Sequence, residues 1–252
     1  MSKGRILIIV EGSRIDLRLM THLLDIYDIA EQYQIVSYNT NIYALYNSMF
    51  KNTDPADIDI LEHLKEHESD QAKKQIFNER YSDILLVFDF DPQDPQFSVE
   101  KIMEMAEYFV ESTDMGKLYL NYPMVESFYH MKSIPDSEYN SYTASMAELE
   151  SGVYKQRVNT VNRNRDYRKF AVDRIECNIV IKQNIEKARI VIEKYTRSTP
   201  SYNTDYLILD SIDILSGQIK KMLAESEVAV LCTCVFYIID YNPKLIRSEH
   251  HP

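Results

Sequence analysis

Three acids stand at the ends of apolar runs. Glu11 follows Ile6-Leu7-Ile8-Ile9-Val10, and Asp89 and Asp91 close the run Ile84-Leu85-Leu86-Val87-Phe88. Beyond a further run at residues 117–120 come Asn121-Tyr122-Pro123 and then Glu126. Asp16 lies one helical turn past Glu11, and Asp94 lies in the loop after the Asp-x-Asp pair. Carboxylates gathered at one place repel one another and raise each other's pKa. A hard divalent cation removes that cost. Mg²⁺ takes oxygen ligands, usually one or two carboxylates with water and a substrate phosphate, and Mn²⁺ shares the preference. The i, i+2 spacing of Asp89 and Asp91 suits a strand that is ending, where both can turn to one ion. Glu11 is then placed to act as general acid or base, or as a further ligand. Singly, each acid is ordinary: a turn, a loop or a helix dipole partner. Their recurrence at successive strand ends is what points to a metal site.

These positions matter only if the strands that carry them are neighbours. Residues 5–10 and 83–88 are short, continuous β-branched and leucine-rich runs, as in strands covered on both faces. Further strands are expected at residues 34–38 and 117–120. Between them Ser13 is a candidate cap for a helix carrying Ile15, Leu19, His22, Leu23 and Ile26 at helical spacing. Helices are also expected at residues 42–50, 58–67, 72–80 and 98–111, and a last one around Glu126. Pro92 and Pro95 end the third strand. Strands alternating with helices imply right-handed crossovers and an α/β fold, with a four-stranded parallel sheet flanked by helices. In such a sheet ligands sit beyond the carboxyl ends of the strands. With five glycines in the chain there is no Gly-rich phosphate loop.

Residues 135–252 read differently from residues 1–134 and form a mainly helical C-terminal region. Residues 135–170 are polar. Ile181, Ile185, Ala188 and Ile192 form one amphipathic stripe, and Ile208, Ile212, Leu215, Ile219 and Met222 another. Residues 228–239 are apolar but for Thr233, and their length together with the preceding helices favours a helix over a strand. That run of 12 residues is short of the ~18–20 a membrane helix needs. The stretch ILIIV is too short for a signal-peptide core and ends in an acid, so no export signal is expected.

At 252 residues, 45% hydrophobic and 27% charged, the chain is long and apolar enough for a packed core, which excludes disorder and a disulfide scaffold. Cys177, Cys232 and Cys234 have neither redox-motif nor zinc-knuckle spacing, and point to buried thiols in the reducing cytoplasm. The net charge of -11 argues against a simple nucleic-acid coat. Its distribution is uneven. Residues 1–150 hold 12 basic and 27 acidic residues, and the remainder 16 and 12. Lys155, Arg157, Arg163, Arg165, Arg168, Lys169 and Arg174 cluster there, with Tyr154 and Tyr167 interleaved and Asn159, Asn162 and Asn164 adding amide donors. This pattern suits phosphate contacts with stacking platforms. The bland reading is a solvated face paired with Asp166, Asp173 and Glu176.

The two strand-end segments, Ile6–Gly12 and Leu85–Asp91, resemble the strand-Glu-Gly and strand-DxD motifs of the Toprim superfamily. The resemblance covers about residues 4–130. Asn121-Tyr122-Pro123-Met124-Val125-Glu126-Ser127-Phe128 is similar to the "NP…E" segment of RloB-like and OLD-like Toprim proteins, departing from it by Tyr122 between the Asn and the Pro. The resemblance implies a Mg²⁺-dependent nuclease of bacterial anti-phage defence, often beside an ATPase partner. It implies Glu11 as acid/base and Asp89 and Asp91 as metal ligands, with Asp16 and Glu126 as further ligands. Room for a topoisomerase tyrosine domain, zinc ligands of a primase and ATPase motifs are all lacking.

The leading expectation is a nuclease acting on DNA or tRNA. A second is a non-catalytic sensor subunit that docks an ATPase, using its amphipathic helices as an assembly or homodimer surface. A third is metal-assisted phosphotransfer on a small molecule. The histidines add little. His22 lies on an apolar face, and His63 and His67 are an i, i+4 pair lacking a third ligand. His130 is a candidate helper four residues after Glu126, and His250 and His251 are terminal.

Overall fold

The two unbroken apolar runs become the two central strands of one sheet. The computed structural model describes residues 5–29, 33–51, 57, 59–113, 115–164, 166–196 and 209–246. In chain order, β1 (Ile6–Val10) leads to α1 (Ile15–Ile26), β2 (Tyr33–Ser37), α2 (Ile42–Met49), α3 (Ile60–His67) and α4 (Gln71–Phe77). Then follow β3 (Asp83–Asp89), α5 (Val99–Tyr108), β4 (Val110–Glu111) and β5 (Gly116–Asn121). The sheet order is β2-β1-β3-β5-β4. β1 pairs in parallel with β2 and β3, and β3 with β5. All five residues of β1 are buried, as are six of the seven in β3. That two-faced burial is why both read as continuous rather than alternating runs. The more polar Tyr-Gln-Ile-Val-Ser of β2 goes to an edge, with one buried residue.

The expected four parallel strands are present. The sequence reading missed β4, an antiparallel edge strand of two residues, because so short an element carries no periodicity. It lies where the helix from 98 was extended to 111; α5 stops at Tyr108 instead. Ser13 does not cap α1, whose N-cap position is Arg14 and has no side-chain cap bond. The segment around Glu126 is a 3-10 helix, Val125–Tyr129, rather than an α-helix. Its first N–H is already committed to the Asp89 carboxylate.

The C-terminal region continues with β6 (Thr143–Ser145), α6 (Met146–Glu150), α7 (Val153–Val161), α8 (Arg174–Thr196), α9 (Ser211–Glu225), β7 (Glu227–Ala229) and α10 (Tyr237–Tyr241). α8 buries Ile181, Ala188 and Ile192 of its stripe and α9 buries Leu215, Ile219 and Met222 of its own, while Ile185 and Ile212 are partly buried and Ile208 lies outside the described residues. The region is not purely helical, since β6 and β7 form an antiparallel pair. The apolar run 228–239 is split. It begins as β7, makes a two-way backbone bridge between Leu231 and Tyr122, and only then turns through a 3-10 helix, Cys234–Phe236, into α10. A buried backbone must satisfy its N–H and C=O groups. Here Tyr122 does so for Leu231, at 2.7 and 2.8 Å, before a helix can start.

One hydrophobic core runs through both parts of the chain, from Ile6 to Ile239. Across the 134/135 boundary, Asp240 accepts from Lys117 Nζ at 2.5 Å and Tyr119 Oη at 2.7 Å, and Thr233 Oγ1 donates to Leu120 O at 2.7 Å. Among the described residues no helix is long and apolar enough to cross a membrane.

Candidate metal centre

Pairing of β1 with β3 brings the strand-end acids together. The register sets Val10 opposite Val87, and the ladder runs one residue further, with Glu11 N–H donating to Val87 O at 3.1 Å. The Glu11 side chain therefore emerges beside Asp89, whose N–H donates to Glu11 Oε2 at 3.0 Å. Asp89 Oδ1 in turn accepts Val125 N–H at 2.8 Å. Phe90 drives its ring into the core, and its N–H donates to Asn121 O at 3.0 Å while its carbonyl accepts the Tyr43 hydroxyl. Asp91 then adopts φ 38°, in the left-handed region that Asp tolerates better than most residues. Its N–H donates to Pro123 O at 3.1 Å, and Gln93 Nε2 donates to its Oδ1 at 3.0 Å. As a result one oxygen each from Glu11, Asp89 and Asp91 lies within 4.8 Å of the other two.

Asp16 and Glu126 are buried beside this triad, 6% and 4% exposed. Asp16 comes close because residue 12 is glycine: a Cβ there would sit 2.5 Å from Asp16 Oδ2. Glu126 meets a cation. Lys155 reaches from α7 to set Nζ 3.4 Å from Glu126 Oε1, with its own side chain 57% exposed.

The field of these groups is legible in their proton affinities. Burial raises Glu11 from 4.5 to about 8, with Asp91 and Asp16 adding to it and the Asp89 N–H and Lys155 opposing. Burial likewise raises Asp16 to about 6, with Glu126 adding. Asp89 is pushed well above the carboxylate range by burial and then by Asp91, Glu11, Asp16 and Glu126. Asp91 is raised chiefly by burial. Burial works against the charge on Lys155, but Glu126, Asp89 and Asp91 outweigh it and raise its pKa.

The residues present fit a hard divalent cation. Every donor is a carboxylate oxygen, the set such ions take. Asp16 Oδ1 and Glu126 Oε2 are buried without a hydrogen-bond partner, as are Asn121 Nδ2, Ser127 Oγ and Gln93 Oε1 nearby in the chain. Orphaned buried acceptors are costly and rare. A cation over Glu11, Asp89 and Asp91 relieves the mutual repulsion of the acids.

The basic stretch is placed differently from a shared phosphate surface. Among the described residues of the stretch, Lys155 is the one that pairs with an acid of the site. Arg157 binds Thr143 O at 2.6 Å and Glu148 at 3.3 Å, Arg163 pairs with Glu176 at 2.5 Å, and Arg168 with Asp166 at 3.0 Å. Arg174 donates to Leu245 O at 3.0 Å, Lys169 is exposed, and Arg165 lies outside the described residues. Tyr154 is 1% exposed and cannot stack on a ligand, whereas Tyr167 is half-buried beside Tyr129. Asn162 is also buried, donating to Tyr129 O at 2.5 Å.

The remaining candidates are not members of the triad. His130 is buried against the Tyr154 hydroxyl at 3.3 Å, and burial lowers its pKa to about 3. His63 and His67 stack at 4.2 Å, and burial with the His67 charge lowers His63 to about 4. His22 Nε2 hydrogen-bonds Ala171 O at 2.8 Å, and His250 and His251 lie outside the described residues. Asp94 serves the loop, accepting Asn41 Nδ2 at 2.6 Å and Gln96 N–H at 2.7 Å. All three cysteines are free and buried.

Three residues without an expected role support the site. Gln93 orients Asp91, Tyr43 anchors the carbonyl of Phe90, and Asn121 accepts from Cys232 Sγ at 3.4 Å and Cys234 N–H at 3.3 Å beneath Asp89. Only Asn121 had a signal, its place at the end of the β5 run. No family model, curated protein or solved structure matches the chain.

Proposed function

We propose that this chain is a Toprim-like, Mg²⁺-dependent nuclease that hydrolyses phosphodiester bonds of DNA or tRNA, serving as a cytoplasmic effector of anti-phage defence. One observation carries the reading: Glu11, Asp89 and Asp91 converge within 4.8 Å at the carboxyl ends of two adjacent parallel strands. The strand-Glu-Gly and strand-DxD resemblance supports it from the sequence side.

Hydrolysis joins a water oxygen to phosphorus, removes one proton from that water, breaks a P–O bond and returns a proton to the departing oxygen. Glu11 is the group that takes or gives that proton, because it projects from the strand end beside both aspartates. Asp89 and Asp91, with Asp16 and Glu126 around them, hold the cation, which when bound neutralises phosphate charge. Lys155 binds a non-bridging phosphate oxygen, since its ammonium already reaches the acids from solvent.

Incubation with single- and double-stranded DNA and with tRNA, in Mg²⁺, Mn²⁺ or EDTA, tests the proposal. Metal-dependent cleavage that disappears in Asp89→Asn/Asp91→Asn supports it; cleavage indifferent to that substitution sinks it. The pairing of Arg157, Arg163 and Arg168 inside the chain favours a second reading, phosphotransfer on a small phosphorylated molecule, so nucleotides belong in the same panel.

A further inference from the structure

Beside the acids lies a pocket of about 180 Å³ that the metal chemistry does not use. It shares two elements with the site. Ile15, Arg18 and Leu19 come from α1, around Asp16, and Phe128 and Tyr129 from the 3-10 helix that carries Glu126. Its other wall is the segment Tyr167–Phe170. The Tyr129 hydroxyl feels Glu126, Asp16 and Asp89, though burial contributes most to its raised pKa. The pocket and the acids are therefore electrostatic neighbours.

The walls are chiefly rings. Phe128 and Phe170 meet edge to face at 5.5 Å, and Tyr129 and Tyr167 lie 5.7 Å apart at 33°. A cavity of roughly 150 Å³ accepts one benzene-sized ring, so this one suits a single flat heterocycle rather than a peptide segment. The charged side chains lining it are cations and carry no carboxylate among them. Arg168 is paired with Asp166, but Arg18 is exposed and pairs with no carboxylate among the described residues. Instead Arg18 Nη1 donates to Tyr167 Oη at 2.7 Å, and its guanidinium sits 6.0 Å from the Tyr167 ring centre. His22, which also lines the pocket, is held by a hydrogen bond between Nε2 and the Ala171 carbonyl at 2.8 Å. Aromatic walls and an arginine with no carboxylate partner among the described residues together fit a base and its flanking phosphate.

We propose that this pocket takes one unstacked nucleobase of the substrate, with Arg18 on the adjacent phosphate, so that the substrate is single-stranded nucleic acid or a strand with a flipped base. The inference rests on the nuclease reading and narrows it, because a base within a duplex cannot enter.

The test measures binding in EDTA, where no cleavage occurs, by anisotropy of a labelled 12-nucleotide strand, the same strand with abasic sites, and its duplex. Cleavage in Mn²⁺ is measured separately. Base–aromatic stacking of this kind is worth about tenfold or more in affinity per base. The intact strand is expected to bind about tenfold more tightly than the abasic strand or the duplex. Tyr167→Ala is expected to erase that preference and Tyr167→Phe to keep it, while Arg18→Ala weakens intact and abasic strands alike. Equal affinity for intact and abasic strands by the wild type overturns the pocket, and needs no variant to fold. Cleavage without base dependence leaves the nuclease reading standing and removes the pocket. Base-dependent binding without cleavage in Mn²⁺ does the reverse. No binding to any strand in EDTA removes the pocket, and no cleavage in Mn²⁺ beside it removes the nuclease reading as well.

Discussion

Asp89 donates its backbone N–H to the carboxylate of Glu11 at 3.0 Å, so two residues 78 apart in sequence are tied at the ends of neighbouring strands. The bond orients Glu11 while the Asp89 side chain is itself held by Val125 N–H. Two strand ends and the 3-10 helix thus position one another before any cation arrives. Such preorganisation is what a site must have to favour a charged transition state.

The triad is strained electrostatically when metal-free. Asp91→Asn keeps the acceptor for Gln93 and removes one of the repelling charges. It is expected to raise the melting temperature in EDTA by about 2–4 °C, the shift for roughly 1 kcal/mol in a chain of this size. The double variant Asp89→Asn/Asp91→Asn is expected to lose the one or two Mn²⁺ ions that EPR counts on the wild type. Retained Mn²⁺ in the double variant contradicts the assigned ligands.

Stability should depend on pH in a definite direction. Glu11 rises from 4.5 in the unfolded chain to about 8 in the fold, and Asp16 from 3.8 to about 6. His63 and His130, lowered from 6.5 to about 4 and about 3, act in the opposite sense below about pH 6.5. The acids therefore govern alone between about pH 6.5 and 8, where the native state binds more protons than the unfolded chain and stability falls as pH rises. The stabilisation is fully present below the unfolded pKa values and is lost as pH passes through the folded ones. Thermal melts in EDTA should decline across that window, and the increment given by Mn²⁺ should grow across it. A flat or rising EDTA profile contradicts the buried acid cluster.

Gly12 separates site geometry from stability. In Gly12→Ala the new methyl meets the carboxylate tip of Asp16 at 2.5 Å, and the end of a side chain can move aside. The melting temperature should change little, while Mn²⁺ affinity drops about tenfold, as for loss of an outer support. Asp16→Ala should reproduce the affinity loss. An unchanged Mn²⁺ titration in both variants means that Asp16 plays no part at the centre.

Among the described residues, Lys155 is the cation of the basic stretch that pairs with an acid of the site. On the nuclease reading Lys155→Gln should slow single-turnover cleavage by about 10²–10³-fold, the usual cost of one lost transition-state donor. Mn²⁺ affinity should hold or increase, since a competing positive charge is gone. Equal rates for wild type and variant would assign Lys155 a purely structural pairing with Glu126.

Much of this site was readable from local pattern. The runs ending in Glu11 and Asp89 had to be buried, because an unbroken stretch such as Ile-Leu-Ile-Ile-Val has no polar face to show to water, and their shortness and β-branched residues favoured strands. Asp16 and Glu126 were named as partners of the triad, and both are buried beside it. Lys155, in contrast, was grouped with Arg157, Arg163 and Arg168 because charge along a chain says nothing about direction. The fold turns Lys155 toward Glu126 and the arginines toward Glu148, Glu176 and Asp166. Residues 228–239 show the same limit. Uniform hydrophobicity determined that they are buried, and the bridge to Tyr122 decided that they begin as strand.

By itself the sequence determined the alternation of strand and helix and the position of acids at strand ends, because polarity and period are properties of neighbouring residues. The tertiary structure decided that β1 lies beside β3, that Asp91 turns back at φ 38° under the hold of Pro123 and Gln93, and that Tyr154 is buried while Tyr167 lines a pocket. Those outcomes depend on which distant surfaces exclude water together. Burial is encoded residue by residue, whereas the choice of partner is made only when the whole core packs.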